Sequence, residues 1–195
     1  ILSVARADGD DPESAWELHD ATFEKNLRLL NDRHFDRLHY TSANGTDLWV
    51  GMTDRHVWEG GSSMTPEGRE FSPNIPTEEV FTSPDCDRVD GIVYSALPLV
   101  RHGNKIDRFW LRFESGSVVE FDAEVGRDTL ESILETDEGA RRLGEVALIS
   151  KNTPIRETGI LFYDTLYDEN ASCHLALGSA FPECYEGGCD LSAEE

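Results

Sequence analysis

Ile106-Asp107-Arg108-Phe109-Trp110-Leu111-Arg112-Phe113 leads through Ser115-Gly116-Ser117 into Val118-Val119-Glu120-Phe121-Asp122-Ala123-Glu124-Val125. Phe109, Leu111 and Phe113 recur at every second position, the period that sends side chains to one face of a strand. Two such runs around a Ser-Gly-Ser turn predict an antiparallel hairpin. Similar signals flank it on both sides. Upstream, His34 to Tyr40 reads as a strand, Asn44-Gly45 as a hairpin turn and Leu48-Trp49-Val50-Gly51 as the returning strand. Val80-Phe81-Thr82 then precedes an expected turn at Pro84-Asp85-Cys86-Asp87 and a strand from Gly91 to Leu97. Downstream, Glu145 to Ser150 reads as a buried strand and Ile160-Leu161-Phe162 as a further one.

Helices frame these strands. Asp11 followed by Pro12 supplies an N-cap and a proline at the first helical position. Trp16, Phe23, Leu27 and Leu30 then recur near the helical period, which predicts an amphipathic helix over 12–31. A second helix fits 127–136 with Leu130, Ile133 and Leu134 inward, and a short helical piece is expected to continue to Arg142. Residues 59–76 carry Gly60-Gly61-Ser62-Ser63, Pro66, Gly68, Pro73 and Pro76, the composition of a long loop. Between 164 and 181 a polar helical turn precedes Leu175-Ala176-Leu177-Gly178. The pattern predicts an α+β protein: a largely antiparallel or mixed β-sheet with flanking helices, forming a single domain over 1–195.

The chain has 195 residues, enough for a core that needs no disulfides. Its net charge of −22 excludes a nucleic-acid binder that works through basic contacts, and argues against a polybasic membrane-surface segment. No apolar run reaches the roughly 18 residues a membrane span requires. The cations are three Lys and fourteen Arg, and the acids are spread along the whole chain. Such a surface points to a salt-rich, halophilic cytosol, where screening makes self-repulsion tolerable. The four cysteines, Cys86, Cys173, Cys184 and Cys189, are expected to be reduced thiols in a cytoplasmic protein. The chain opens without an initiator Met and stops on Ser192-Ala193-Glu194-Glu195, which resembles the start of a helix, so both ends are expected to be cut from a longer protein.

The chemistry is narrowed by what is missing. There is no Gly-x-Ser-x-Gly, His-Glu-x-x-His, P-loop or Gly-x-Gly-x-x-Gly pattern. What remains is acids set against apolar segments. Glu145 stands at the mouth of Val146-Ala147-Leu148-Ile149, and Glu78-Glu79 precedes Val80-Phe81-Thr82. Glu169-Asn170-Ala171-Ser172-Cys173-His174 sets a carboxylate and an imidazole just ahead of another apolar run. Acids beside core segments are costly to desolvate unless paired or bound to metal. A solvated strand end is the plainer account of each one taken singly.

Three stretches carry a resemblance. Pro73-Asn74-Ile75-Pro76-Thr77-Glu78-Glu79-Val80-Phe81-Thr82, Gly144-Glu145-Val146-Ala147-Leu148, and Tyr167-Asp168-Glu169-Asn170-Ala171-Ser172-Cys173-His174-Leu175-Ala176-Leu177-Gly178 are similar, in this order and spacing, to the thermophilic aminopeptidases of peptidase family M29. Leu38-His39-Tyr40 with Gly45-Thr46-Asp47-Leu48 resembles a further stretch of that family. The resemblance implies the C-terminal catalytic part of a two-domain metallopeptidase that is cytosolic and homodimeric. It implies removal of N-terminal residues from peptide substrates with two divalent metal ions, zinc, cobalt or similar. Residue by residue, Glu79 resembles a ligand of the first metal, Glu145 the catalytic carboxylate that bridges both, and Glu169 and His174 ligands of the second. Several acids are needed there to offset two dications held a few ångström apart.

Two departures from the family pattern stand out. The family closes its site with a downstream His-x-Asp pair, whereas His102 is followed by Gly103-Asn104 and His174 is the last histidine. Phe181 stands where the resemblance implies a Tyr near the reacting carbonyl. Two alternatives follow: an M29-like homologue without catalysis, or a structural-zinc binding module using Cys173, His174, Cys184 and Cys189. Metal on oxygen and one nitrogen marks the peptidase site; metal on sulfur marks the zinc module.

Overall fold

The computed structural model describes residues 1–101 and 103–191. In chain order the elements are α1 (Pro12–Arg33), β1 (Arg37–Thr41), β2 (Asp47–Met52), β3 (Ser63–Met64), β4 (Glu70–Phe71), β5 (Glu79–Thr82), β6 (Pro84–Tyr94), β7 (Leu99–Arg101), β8 (Asn104–Glu114), β9 (Ser117–Val125), α2 (Arg127–Leu134), β10 (Leu143–Ile149), α3 (Pro154–Thr158), α4 (Thr165–Glu169) and β11 (His174–Leu177). This is the α+β architecture with mainly antiparallel strands that the sequence predicts. The expected helical turn at Ser192-Ala193-Glu194-Glu195 lies outside the described residues. Among the described residues no helix is long and apolar enough to cross a membrane.

Backbone contacts group the chain into two compact units. One comprises Ile1–His34, Trp58–Phe81 and Ala147–His174; the other comprises Phe35–Val57, Thr82–Val146 and the chain from Leu175 on. The second unit is built on a six-stranded antiparallel sheet of order β1-β2-β6-β8-β7, with β9 also paired to β8. The predicted hairpin is its centre: Leu111 faces Phe121 and Arg112 faces Glu120 across β8 and β9. Ser115 and Gly116 turn it with φ of 48° and 83°. Positive φ at both central residues is the backbone of a tight hairpin with matched twist. Gly116 is also required by space, since a Cβ there would overlap the backbone carbonyl of Cys86. Leu48, Val50, Val89, Ile106, Phe113 and Val118 form the buried face, with Leu130 and Leu134 of α2 also buried.

Local chemistry explains the first unit's helix. Asp11 Oδ1 accepts from Ser14 N at 3.1 Å, Pro12 occupies the first turn, and His34 closes the helix in the left-handed region. Phe23 is buried on one face of α1, near His19 at a ring separation of 5.3 Å. Asn31 clasps the backbone of Trp58 on both sides: it accepts from Trp58 N at 2.8 Å and donates to Trp58 O at 3.1 Å.

Several local expectations are corrected. Residues 84–87 are not a turn but the start of the 11-residue strand β6. Proline is tolerated at the first strand position, where its missing N–H breaks no ladder. The loop at 59–76 contains the hairpin β3–β4. Residues 135–142 are turns and bends rather than a helical continuation, and 160–162 form no strand. The helix α3 and strand β7 were not anticipated.

Candidate metal centre

Glu79 opens β5, His174 opens β11 and Glu145 stands on β10. Glu79 and His174 belong to one compact unit, where their ligand atoms lie within 4.8 Å of each other. His174 Nε2 lies 3.1 Å from Glu79 Oε2. Zinc bonds to carboxylate oxygen and imidazole nitrogen run about 2.0–2.2 Å, so an ion touching both atoms needs them roughly 3–3.5 Å apart.

The imidazole is oriented from behind. Its Nδ1 lies 3.0 Å from Glu169 O and 3.3 Å from Ser172 O. Carbonyls only accept, so Nδ1 carries a proton. Nε2, turned toward Glu79, either carries a proton that pairs it with the carboxylate or presents a lone pair to a cation. Two lone pairs facing each other repel unless a proton or a cation stands between them. Glu79 Oε2 is buried and faces the His174 ring. A carboxylate and an imidazole side by side, with a carbonyl fixing the imidazole's far nitrogen, fit a divalent cation and the usual outer support of a histidine ligand.

Glu169 reaches His174 through its backbone carbonyl; its carboxylate is not among the possible ligands grouped there. It ends α4, where Asp168 is occupied by accepting from Phe162 N at 2.7 Å and Asp164 N at 3.2 Å. Of the adjacent acids, Glu78 is engaged differently from Glu79: its Oε1 lies 2.6 Å from Arg6 Nη1. Gly144, the residue before Glu145, has no room for a side chain. A Cβ there would lie 2.2 Å from Ser179 O and 2.5 Å from Gly178 O.

The sulfur alternative finds no such convergence. Cys86, Cys173 and Cys189 are free thiols, and Cys184 is fully buried. Among the described residues, the groups of three or more possible metal ligands do not include Cys173, Cys184 or Cys189. Cys173 Sγ instead accepts from Ile149 N at 3.3 Å. Phe181 is partly exposed, and its backbone N donates to Ser83 Oγ at 2.8 Å.

The model of the family described as thermophilic metalloprotease (M29) matches residues 1–195. This chain belongs to peptidase family M29. It is 47% identical over 187 residues to aminopeptidase T of Thermus aquaticus, covering 96% of this chain and 46% of that protein. It is 49% identical over 195 residues to aminopeptidase AmpS of Bacillus subtilis, covering all of this chain and 47% of that protein. Wild-type AmpT from Thermus thermophilus superposes with a TM-score of 0.87 at 48% identity, over 92% of this chain and 45% of that one. The chain therefore spans about half the length of the curated relatives it matches. M29 membership brings the expectation of metal ions; among the described residues Glu79 and His174 offer donors for one, and Asp85, Cys86 and Asp87 form a separate, more exposed group of possible ligands. Sequence reasoning passed over two residues beside the Glu79–His174 pair, Arg6 and Asn170. The sequence signal for Asn170 was its position next to Glu169; nothing local to Arg6 tied it to Glu78.

Proposed function

We propose that the protein is a metal-dependent aminopeptidase that removes N-terminal residues from peptides, with residues 1–195 acting as a single domain of its catalytic portion. The observation that carries this is the approach of His174 Nε2 to Glu79 Oε2 in a chain of the M29 family. Two divalent ions, zinc, cobalt or a similar dication, would be held by Glu79, Glu145, Glu169 and His174. Dications bound in such a site activate water as a nucleophile and polarise a peptide carbonyl.

The chain's own residues then have definite tasks. Glu169 O holds His174 Nδ1–H, which keeps Nε2 turned toward Glu79. Phe181 carries no hydroxyl, so stabilisation of the developing oxyanion falls to other groups. The free thiols and the family resemblance support a cytoplasmic homodimer. The proposal includes neither a nucleic-acid nor a membrane partner.

The test is hydrolysis of an aminoacyl p-nitroanilide and of a short peptide after chelator dialysis and back-titration with Zn²⁺ or Co²⁺. Activity should vanish on chelation and return with metal. Glu145→Gln should lose about 10³-fold in kcat, the size expected when several kcal/mol of transition-state stabilisation go. A protein that binds metal yet cleaves neither substrate is the non-catalytic homologue.

A further inference from the structure

Asn170 is almost wholly buried at 1% exposure, immediately after Glu169. Its Oδ1 accepts from Glu78 N at 2.6 Å, across 92 residues of sequence. Its Nδ2 donates to Leu166 O at 2.7 Å, inside α4. Its backbone carbonyl accepts from the hydroxyl of Thr153 at 3.2 Å, and Thr153 is itself fully buried. One carboxamide therefore ties the backbone just before Glu79 to the helix whose last residue is Glu169, and whose carbonyl orients His174. All of these residues lie in one compact unit.

We propose that Asn170 is a positioning residue for the metal centre: it sets the separation between Glu79 on β5 and the Glu169–His174 corner. The proposal rests on the metallopeptidase reading above. The amide is suited to this task because it accepts and donates at once. Asp supplies only acceptors when ionised, and Ala supplies neither. The support is indirect, since Asn170 acts through the residues on either side of it. Outer partners of metal ligands typically carry 10–100-fold in metal affinity when lost.

The test is Co²⁺ titration of the full-length protein, followed by visible absorption and by calorimetric stoichiometry, at a temperature where every variant is folded. Asn170→Ala should bind Co²⁺ about 10–100-fold more weakly than the unmodified protein. Ile155→Ala is the control, since Ile155 is buried in α3 and lies outside the ties just described. It should lower the melting temperature at least as much and leave Co²⁺ affinity nearly unchanged. Asn170→Asp keeps an acceptor for Glu78 N–H and serves where Asn170→Ala does not fold; its affinity should fall between the two. Equal loss of affinity in Asn170→Ala and Ile155→Ala overturns the proposal, because the effect is then general destabilisation. Unchanged affinity in Asn170→Ala overturns this inference alone, whereas an unmodified protein that binds no Co²⁺ overturns the metallopeptidase reading with it.

Discussion

Arg6 Nη1 lies 2.6 Å from Glu78 Oε1, with side-chain exposures of only 18% and 6%. The next residue, Glu79, meets His174 instead. Successive side chains of an extended segment point opposite ways, which lets two adjacent acids meet different partners. The Arg6 guanidinium neutralises the acid that faces the core of its unit and leaves its neighbour as the one facing an imidazole. Two buried carboxylates at adjacent positions are compatible with folding because each has a partner.

This pairing predicts an asymmetry between the two truncations. Arg6→Ala leaves the Glu78 carboxylate buried without a countercharge. Breaking a buried ion pair in this way costs about 3–5 kcal/mol, and the partial exposure of Arg6 argues for the lower figure. For a chain of this size that is a fall of roughly 6–12 °C in melting temperature. Glu78→Gln should cost less, because the remaining guanidinium reaches water and the amide still accepts. Melts of the two variants with the unmodified protein check this; Glu78→Gln melting below Arg6→Ala would refute it.

His19 predicts a pH dependence of stability. Burial lowers its pKa most, and the nearby Arg6 charge lowers it further, against smaller raising effects from Glu78, the Thr77 carbonyl and Asp20. Its Nε2 lies 2.9 Å from Thr77 O, so the neutral ring donates there. A histidine whose folded pKa lies below its unfolded value takes up its proton more readily in the unfolded chain. Its contribution is therefore intact above the unfolded value of about 6.5 and declines as pH falls through and below it. Between pH 7 and 5 the melting temperature should drop, and His19→Gln should flatten that slope while leaving the remainder of the acid profile in place. An unchanged slope in His19→Gln would assign the acid sensitivity to other groups.

Much of the fold was legible because its signals are local. The β8–β9 hairpin follows from alternation around Ser115-Gly116, and the start of α1 follows from Asp11-Pro12. Misreadings arose where a local signal has two meanings. Pro84 and the acids after it resemble a turn, yet proline also begins a strand, as it does in β6. The helix α3 has a Thr153 cap, Pro154 in its first turn and Gly159 at its end, but at five residues it is too short for periodicity to register. Glu79, Glu145, Glu169 and His174 stand out as polar groups beside apolar runs, and the family resemblance gives them ligand roles; spacing alone does not bring residues so far apart in sequence together. The ties Arg6–Glu78 and Asn170–Glu78 were invisible, because each joins residues far apart in sequence through a contact that only the folded chain creates.

The charge of −22 predicts how this protein responds to salt. Many acids are paired only at the surface: Arg112 with Glu114 and Glu120, Arg108 with Glu124, Arg142 with Asp87. Such exposed pairs contribute about 0–1 kcal/mol each and weaken in salt. They do not change the balance, since seventeen cations face thirty-nine acids. Long-range repulsion among the excess acids is the larger effect. At 0.01 M salt the Debye length is about 30 Å, so distant acids repel one another; at 1 M it is about 3 Å and they do not. Excluded ions at molar concentration also strengthen apolar burial. We propose on this basis that the acidic surface is an adaptation to high salt, and that the unfolding midpoint rises steeply between 0.1 and 2 M KCl at fixed metal concentration. An acidic protein adapted to low salt gives a shallow rise that levels off by a few tenths molar, once screening is complete. A thermal melt series in KCl separates the two, and a flat profile above about 0.3 M would remove the salt adaptation while leaving the M29 assignment untouched.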